Sequence, residues 1–323
     1  MKKGSIALLI LVCTSIIWWQ PLNIGSADIT IPPGASANEI SDFLHESGIV
    51  RDRREFLFWL RIAGREKYLR SGTYTLYKYK NPLYVIGKLS YGGYSDITVT
   101  IPEGSTIRET AQILAEQGLV KNNTFIALCE DPDFVQTFGV TGNSLEGYLF
   151  PDTYSFSSIQ SDSEIIAVFV GNFKKHIADH KIDNADSLYQ IVILASLVEK
   201  EAKFEDERPI IARVFLNRLS QNRPLESCAT ILYALRRDDP EKYSQKKKLL
   251  ERDLRIESLF NTYKHHGLPP GPICSPGDHS LRAAIEPADV DFLYFVSKGN
   301  GRHHFSRSYK EHIAAKEKYR EKN

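Results

Sequence analysis

Two glutamates, Glu199 and Glu201, stand at the end of an otherwise apolar stretch, Leu188-Tyr-Gln-Ile-Val-Ile-Leu-Ala-Ser-Leu-Val-Glu-Lys-Glu-Ala202. A segment that is apolar nearly all round predicts a buried helix, here from Ser187 to about Ala202. A carboxyl group at the mouth of an apolar pocket has its charged form desolvated, so it can hold a proton near neutrality and act as a general acid. Glycosidic bond cleavage needs such a group. The two glutamates lie about 200° apart on a helical wheel, each roughly 80° from the centre of the apolar face, so periodicity does not choose between them. Pairing of both with Arg208, Arg213 or Arg218 is the structural alternative.

Other chemistry has less support. Cys13, Cys129, Cys228 and Cys274 form no CxxC pair and no metal-ligand spacing. One bridge, for instance Cys228 with Cys274, is compatible with an oxidising compartment. Cys228 as a nucleophile with the His303-His304 pair as base finds no motif around it. His176 and His180 are spaced i, i+4 without an accompanying HExxH glutamate, and read as a solvated helix face. Walker, GxGxxG and GxSxG signatures are absent, so no cofactor and no metal are expected. The balance of 41 basic and 40 acidic residues, net +1, gives no field for nucleic acid.

The elements that must position these residues begin with an apolar run, Ser5 to Trp19, behind Lys2 and Lys3. It predicts a membrane anchor with a cytoplasmic N-terminus and Trp18 and Trp19 at the far interface. A cleaved signal peptide ending at Gly25-Ser26-Ala27 is the competing reading. An internal repeat follows. Ile29-Thr-Ile-Pro-Pro-Gly-Ala-Ser-Ala-Asn-Glu-Ile and Phe43-Leu-His-Glu-Ser-Gly-Ile-Val50 recur as Val99-Thr-Ile-Pro-Glu-Gly-Ser-Thr-Ile-Arg-Glu-Thr and Ile113-Leu-Ala-Glu-Gln-Gly-Leu-Val120. Each copy reads strand, turn, helix, with Ser36 or Ser105 as cap and Gly48 or Gly118 as stop. In the first copy a helix around Asp52 to Ala63 and a strand Gly72 to Tyr77 complete a β-α-α-β order. From Gly142 the texture becomes Gly- and Pro-punctuated, with helices expected near Ser163 to His180 and Glu205 to Leu219 and a strand at Phe292 to Val296. Lys246, Lys247 and Lys248 read as solvated.

The strings Leu145-Glu-Gly-Tyr-Leu-Phe-Pro-Asp-Thr-Tyr154, Ala195-Ser-Leu-Val-Glu-Lys-Glu201, Val214-Phe-Leu-Asn-Arg-Leu219, Asn261-Thr-Tyr263, Gly267-Leu-Pro-Pro-Gly-Pro-Ile273, Ser275-Pro-Gly-X-X-Ser-Leu-X-Ala-Ala284 and Leu293-Tyr-Phe-Val296 together resemble the endolytic murein transglycosylase (YceG-like) family. The first β-α-α-β order resembles a LysM module, which binds N-acetylglucosamine polymers. The resemblance implies an α+β fold: anchor 1–27, LysM-like module 28–96 and YceG-like catalytic domain 97–323. It implies a cytoplasmic-membrane protein whose catalytic part faces the periplasm or cell exterior, and a peptidoglycan lyase with Glu201 catalytic. The reaction would cut the β-1,4 bond between N-acetylmuramic acid and N-acetylglucosamine inside a strand, leave a 1,6-anhydromuramic end and terminate nascent strands. Glu146, Asp152, Tyr154, Asn217, Thr230, Asn261, Tyr263 and Ser280 fall in matching motifs as candidate substrate contacts. Implied partners are peptidoglycan glycan strands and peptidoglycan synthases.

The chain departs from the family at Leu225-Glu-Ser-Cys-Ala-Thr230, where the family tends to read Leu-X-Thr-Asp-Pro-Thr. Cys228 thereby replaces an acid. That change favours the main alternative, a non-catalytic envelope protein that binds glycan and organises cell-wall enzymes. A hydrolase using water in the same cleft is a further alternative. A pyridoxal phosphate lyase lacks an evident Schiff-base lysine.

Overall fold

The computed structural model describes residues 25–319 apart from 33, 80, 92–96, 157–159, 179, 181, 183 and 247. Most of the expected anchor, including Trp18 and Trp19, lies outside them. Among the described residues no helix is long and apolar enough to cross a membrane. The chain divides into two compact units, one reaching Ile97 and the other running from Thr98 to Phe156 and from Gln160 to Asn323.

In the first unit, β1 (Ser26–Ile31) leads into α1 (Ala37–Glu46) and α2 (Arg53–Ile62), and β2 (Gly72–Tyr77) returns antiparallel beside β1, pairing Ala27 with Leu76 and Ile29 with Tyr74. Alternation puts Ile29, Ile31, Tyr74 and Leu76 inward, against Ile40, Leu44, Phe56 and Leu60 of the helices and Val85, Ile86 and Leu89 of α3 (Pro82–Tyr91). Ser36 caps α1 in a reciprocal box with Glu39, as the sequence predicts. Gly48 takes φ +70° at the end of that turn.

The second unit opens with the second copy of the repeat: β3 (Ile97–Thr100), α4 (Ile107–Glu116) and α5 (Asn122–Cys129). Its cap is Thr106, boxed with Glu109. The expected cap, Ser105, instead donates to Pro102 O at 2.7 Å; it stands at the repeat position of Ala35, and Thr106, 70 residues after Ser36, is the true counterpart of that cap. After the short α6 (Pro132–Gln136) and the Leu145–Tyr154 segment, β4 (Thr153–Phe156) pairs with β3, so this copy also closes as strand, helices, strand. The rest is helical: α7 (Asp162–Ile177), α8 (Ala185–Glu201), α9 (Arg208–Ser220), α10 (Cys228–Asp238), α11 (Pro240–Tyr243) and α12 (Asp278–Ile285), then the antiparallel pair β5 (Tyr294–Ser297) and β6 (His303–Ser306) and α13 (Tyr309–Tyr319).

At the centre is α8, whose residues Val192 to Val198 are all buried against α9, α10 and α12. Apolar burial all round this helix is what its sequence dictates. The Gly267–Ile273 strap is fastened to it: Tyr189 donates to Pro270 O at 2.8 Å, and Ile273 N–H donates to Ser196 Oγ at 3.1 Å. Lys246 departs from its expected solvation, lying 2.9 Å from the buried Asp253.

Candidate active site

The structure separates the two glutamates at the end of α8. Glu199 Oε2 sits 3.0 Å from Arg208 Nη1 and accepts from Gly277 N–H at 3.0 Å, in surroundings that leave its side chain 6% exposed. It is therefore a buried, charge-paired group that ties α8 to α9 and to the start of α12. Arg213 and Arg218, the other candidate partners, bind Ala288 O and the Leu225–Glu226 segment. Glu201, the last residue of α8, has no ion-pair partner among the described residues. Its Oε1 accepts one hydrogen bond, from Ser227 Oγ at 2.6 Å. Burial pushes its pKa above the usual carboxylate value, and the Ser227 hydroxyl and the charge of His303 hold it back.

Ser227 is placed with some effort. Glu226, just before it, adopts φ +54°, a left-handed conformation that a non-glycine residue resists. Its carboxylate pairs with Arg218 and its N–H donates to Thr262 O at 3.1 Å. Ser227 is the N-cap of α10 yet makes no side-chain cap bond, because its hydroxyl is turned to Glu201 instead. Its own N–H donates to Thr262 Oγ1 at 3.1 Å. Thr230, a candidate substrate contact, is fully buried and spends its hydroxyl on Ser227 O at 2.8 Å and Thr262 Oγ1 at 3.0 Å, so it supports Ser227 rather than facing the cleft. Asn261 is likewise fully buried, its Nδ2 donating to Leu254 O and Ile256 O and its Oδ1 accepting from Tyr263 N–H. That leaves Tyr263 at the surface of the site, half-buried, with its hydroxyl 3.1 Å from the exposed Cys228 Sγ. Burial and the neighbouring thiol and carboxylates push the Tyr263 hydroxyl pKa up, so it stays protonated.

The remaining candidates lie elsewhere. Asp152 is exposed between Thr153 N–H and Asn172. Tyr154 is core, donating to Phe150 O at 2.6 Å and stacked on Phe156. Asn217 holds Val290 O and Phe292 O at 2.9 and 3.0 Å, which anchors the strand leading to β5. Ser280 is fully buried and accepts from Arg208. Glu146 is a second desolvated carboxyl, 5% exposed, accepting from Ile107 N–H at 3.1 Å and from Tyr233 at 3.2 Å, with its pKa pushed up to about 8 by burial. It borders cavities of about 570 and 990 Å³ lined also by Arg108, Glu130, Tyr233 and Arg237, and Glu201 lines neither. Of the candidates, then, only Tyr263 shares the Glu201 surface directly.

Sequence reasoning missed Ser227 and Thr262, whose roles depend on a loop closing across 35 residues and leave no periodic signal. It also missed the Glu207–His303 contact, where Nδ1 lies 2.9 Å from Oε2. Cys129, Cys228 and Cys274 are free thiols, so the Cys228–Cys274 bridge considered above is not formed; Cys274 is buried behind α8 and Cys228 is exposed. His176 is exposed, as a solvated face predicts, and stacks on Phe150 at 4.0 Å, while His180 falls beyond the end of α7. Among the described residues no cluster of three or more His, Cys, Asp or Glu could hold a metal ion.

A desolvated carboxyl at the C-terminal end of a buried helix, supported by a hydroxyl and bordered by an aromatic, has the features that general acid/base chemistry requires, in a mixed, mainly helical α/β unit. The YceG-like family model matches residues 29–318, and the chain belongs to that family. A Bacillus subtilis protein named endolytic murein transglycosylase is 33% identical over 314 residues, 91% of this chain and 85% of that protein. A protein of the same name from Streptococcus pneumoniae is 31% identical over 89% of this chain, which spans only 58% of its length. A crystal structure of a YceG-like protein from Listeria monocytogenes superposes with a TM-score of 0.61 at 30% identity, covering 90% of this chain and 98% of the other.

Proposed function

We propose that this chain is an endolytic murein transglycosylase with Glu201 as its acid and base. The observation that carries the reading is the state of Glu201: a desolvated carboxyl with one hydroxyl partner and no ion pair among the described residues, in a family whose named relatives are murein transglycosylases. Glu201 gives its proton to the glycosidic oxygen as the bond from N-acetylmuramic acid to N-acetylglucosamine breaks, and an oxocarbenium-like centre develops at the muramyl anomeric carbon. The resulting carboxylate takes the proton of the muramyl 6-hydroxyl as that oxygen attacks the anomeric carbon. The proton count closes, no water is consumed, and the product end is 1,6-anhydromuramic. Tyr263, kept protonated, is a donor beside the reacting sugar.

The same reading extends to the rest of the chain. Residues 1–27 anchor it in the cytoplasmic membrane with both units outside the cytoplasm, where cleavage ends nascent strands beside the peptidoglycan synthases. The first unit, with its β-α-α-β order, holds the glycan in the groove of about 380 Å³ lined by Ile31, Pro32, Ala35, Leu69, Arg70 and Ser71. A non-catalytic glycan-binding role is the alternative that Cys228 favours, since a thiol facing Tyr263 replaces the family acid.

Digestion of purified peptidoglycan, with mass spectrometry of the strand ends, tests the reading. The wild-type chain is expected to release anhydromuramic ends and Glu201→Gln to lose about 10²- to 10⁴-fold of that rate. Reducing muramic ends would indicate hydrolysis, and equal release by Glu201→Gln would sink the mechanism.

A further inference from the structure

The helix α2 of the first unit has an outer face unlike that of an ordinary surface helix. Phe56 and Leu60 are buried in the core, and the opposite side carries Arg54, Phe58, Arg61 and Ile62, spaced i, i+4, i+7 and i+8 and all exposed. Phe58 is 57% exposed and Ile62 is 61% exposed, at positions where a solvated helix carries polar groups. Beyond the helix end, the guanidinium of Arg65 lies 5.5 Å from the ring centroid of Tyr68, a further exposed aromatic. An apolar strip flanked along its length by guanidinium groups is therefore open on one side of the unit.

Residues 51 to 70 hold seven basic and three acidic side chains, in a chain balanced overall at 41 to 40. The acids do little to offset this surplus. Asp52 is engaged as the cap of α2, accepting from Arg54 N–H and Glu55 N–H, and Glu55 is half-buried. Arg61 Nε lies 3.4 Å from Glu66 with both side chains in solvent, a pair weak enough to give way to another anion. The face shares no residue with the groove bordered by Leu69, Arg70 and Ser71.

We propose that this face of α2 docks on an anionic lipid bilayer, Phe58 and Ile62 entering the boundary between headgroups and acyl chains while Arg54, Arg61 and Arg65 meet lipid phosphates. The inference rests on the reading of residues 1–27 as a membrane anchor. The apolar run ends at Trp19 and β1 begins at Ser26, so the linker between them spans at most about 25 Å. A tether that short holds the unit at the bilayer surface, where the effective concentration lets a face of modest affinity stay engaged. Charge and shape favour lipid over glycan. Neutral N-acetylated sugars offer the arginines no phosphate, and an open helix flank gives a sugar ring no walls. Docked in this way, α2 lies in the plane of the membrane.

The test uses the full chain reconstituted in vesicles, with Trp18, Trp19 and Trp59 replaced by Phe and with Phe58→Trp as the single reporter, read by quenching from brominated acyl chains. In equimolar phosphatidylglycerol and phosphatidylcholine the reporter is expected to lose about half of its emission, since docking carries the ring roughly 5–10 Å into the boundary. In phosphatidylcholine alone, and with Arg54→Gln and Arg61→Gln together, quenching is expected to fall several-fold. An unquenched reporter in anionic vesicles that retain the chain through a carbonate wash would overturn the docking surface and leave the anchor standing. Quenching in a chain that the wash strips away would keep the docking surface and remove the anchor instead. Equal quenching in neutral vesicles, or a reporter that responds to soluble peptidoglycan fragments and not to lipid, would reject an anionic bilayer as the occupant. Tryptic cleavage after Arg61 and Arg65 of the unaltered chain gives the answer without those substitutions: several-fold slower in anionic than in neutral vesicles if the face docks, equal if it does not.

Discussion

Glu199 and Glu201 stand at the same helix end, and what separates them is the partner each one meets. Glu199 is paired with Arg208, whereas Glu201 meets only the Ser227 hydroxyl, which is what the proposed acid/base role requires. Glu146 shows a third outcome: a carboxyl buried without a cation and held at a pKa of about 8. Its folded-state value lies above its ordinary 4.5, so the folded chain binds a proton that the unfolded chain has released. Its contribution to stability is full below pH 4.5 and declines as pH rises toward about 8. Chemical denaturation across that range is expected to show a component of about 1.4 kcal/mol per pH unit that Glu146→Gln removes. A slope unchanged by the substitution would assign it to other groups. The wheel could narrow the acid to two residues but not choose, because both lie equally far from the apolar face. What separates them, Arg208 on one side and Ser227 on the other, comes from segments distant in sequence.

Elements fix these residues through loops rather than through their own length. Gly147, in the Leu145–Tyr154 motif, takes φ +87°, and an added Cβ would stand 2.7 Å from both Pro272 Cβ and Val192 Cγ1. Here the motif, the Gly267–Ile273 strap and α8 meet. Gly147→Ala is expected to cost about 3 kcal/mol, from left-handed strain together with overpacking, read as a lowered denaturation midpoint. A midpoint within error of wild type would mean that the strap yields cheaply. The repeat was legible at this scale as strand, turn and helix, and the 292–296 strand within two residues. Strand β6, His-His-Phe-Ser, and the closing strand β4, Thr-Tyr-Ser-Phe, were not, since neither carries the continuous apolar run that marks Phe292 to Val296. The two copies also diverge in use. In the first, the turn after the strand borders an open groove. In the second, Gly104 and Ser105 are bonded to Ser275, and Lys200 donates to Gly104 O, so the same turn braces the helix end next to Glu201.

At the level of the whole molecule, family membership was legible because several motifs recur in order, but most motif residues prove to be internal supports. Thr230, Asn261, Asn217 and Ser280 each bind other protein groups, which a sequence pattern cannot distinguish from binding sugar. The proposed division of labour between the units has a direct consequence. Ser71→Trp, which fills the groove of the first unit, is expected to weaken sedimentation with insoluble peptidoglycan several-fold while leaving cleavage of short soluble glycans at the wild-type rate. Equal loss of both would reject separate roles. The strained backbone at Glu226 bears on how this chain could change. Glycine there would relax the turn and raise the melting temperature, yet it would also release Arg218 from its carboxylate partner and loosen the serine behind Glu201. Engineering for heat tolerance alone at this position would therefore be expected to gain a sturdier turn at the expense of the support behind Glu201, setting robustness against the order of the proposed site.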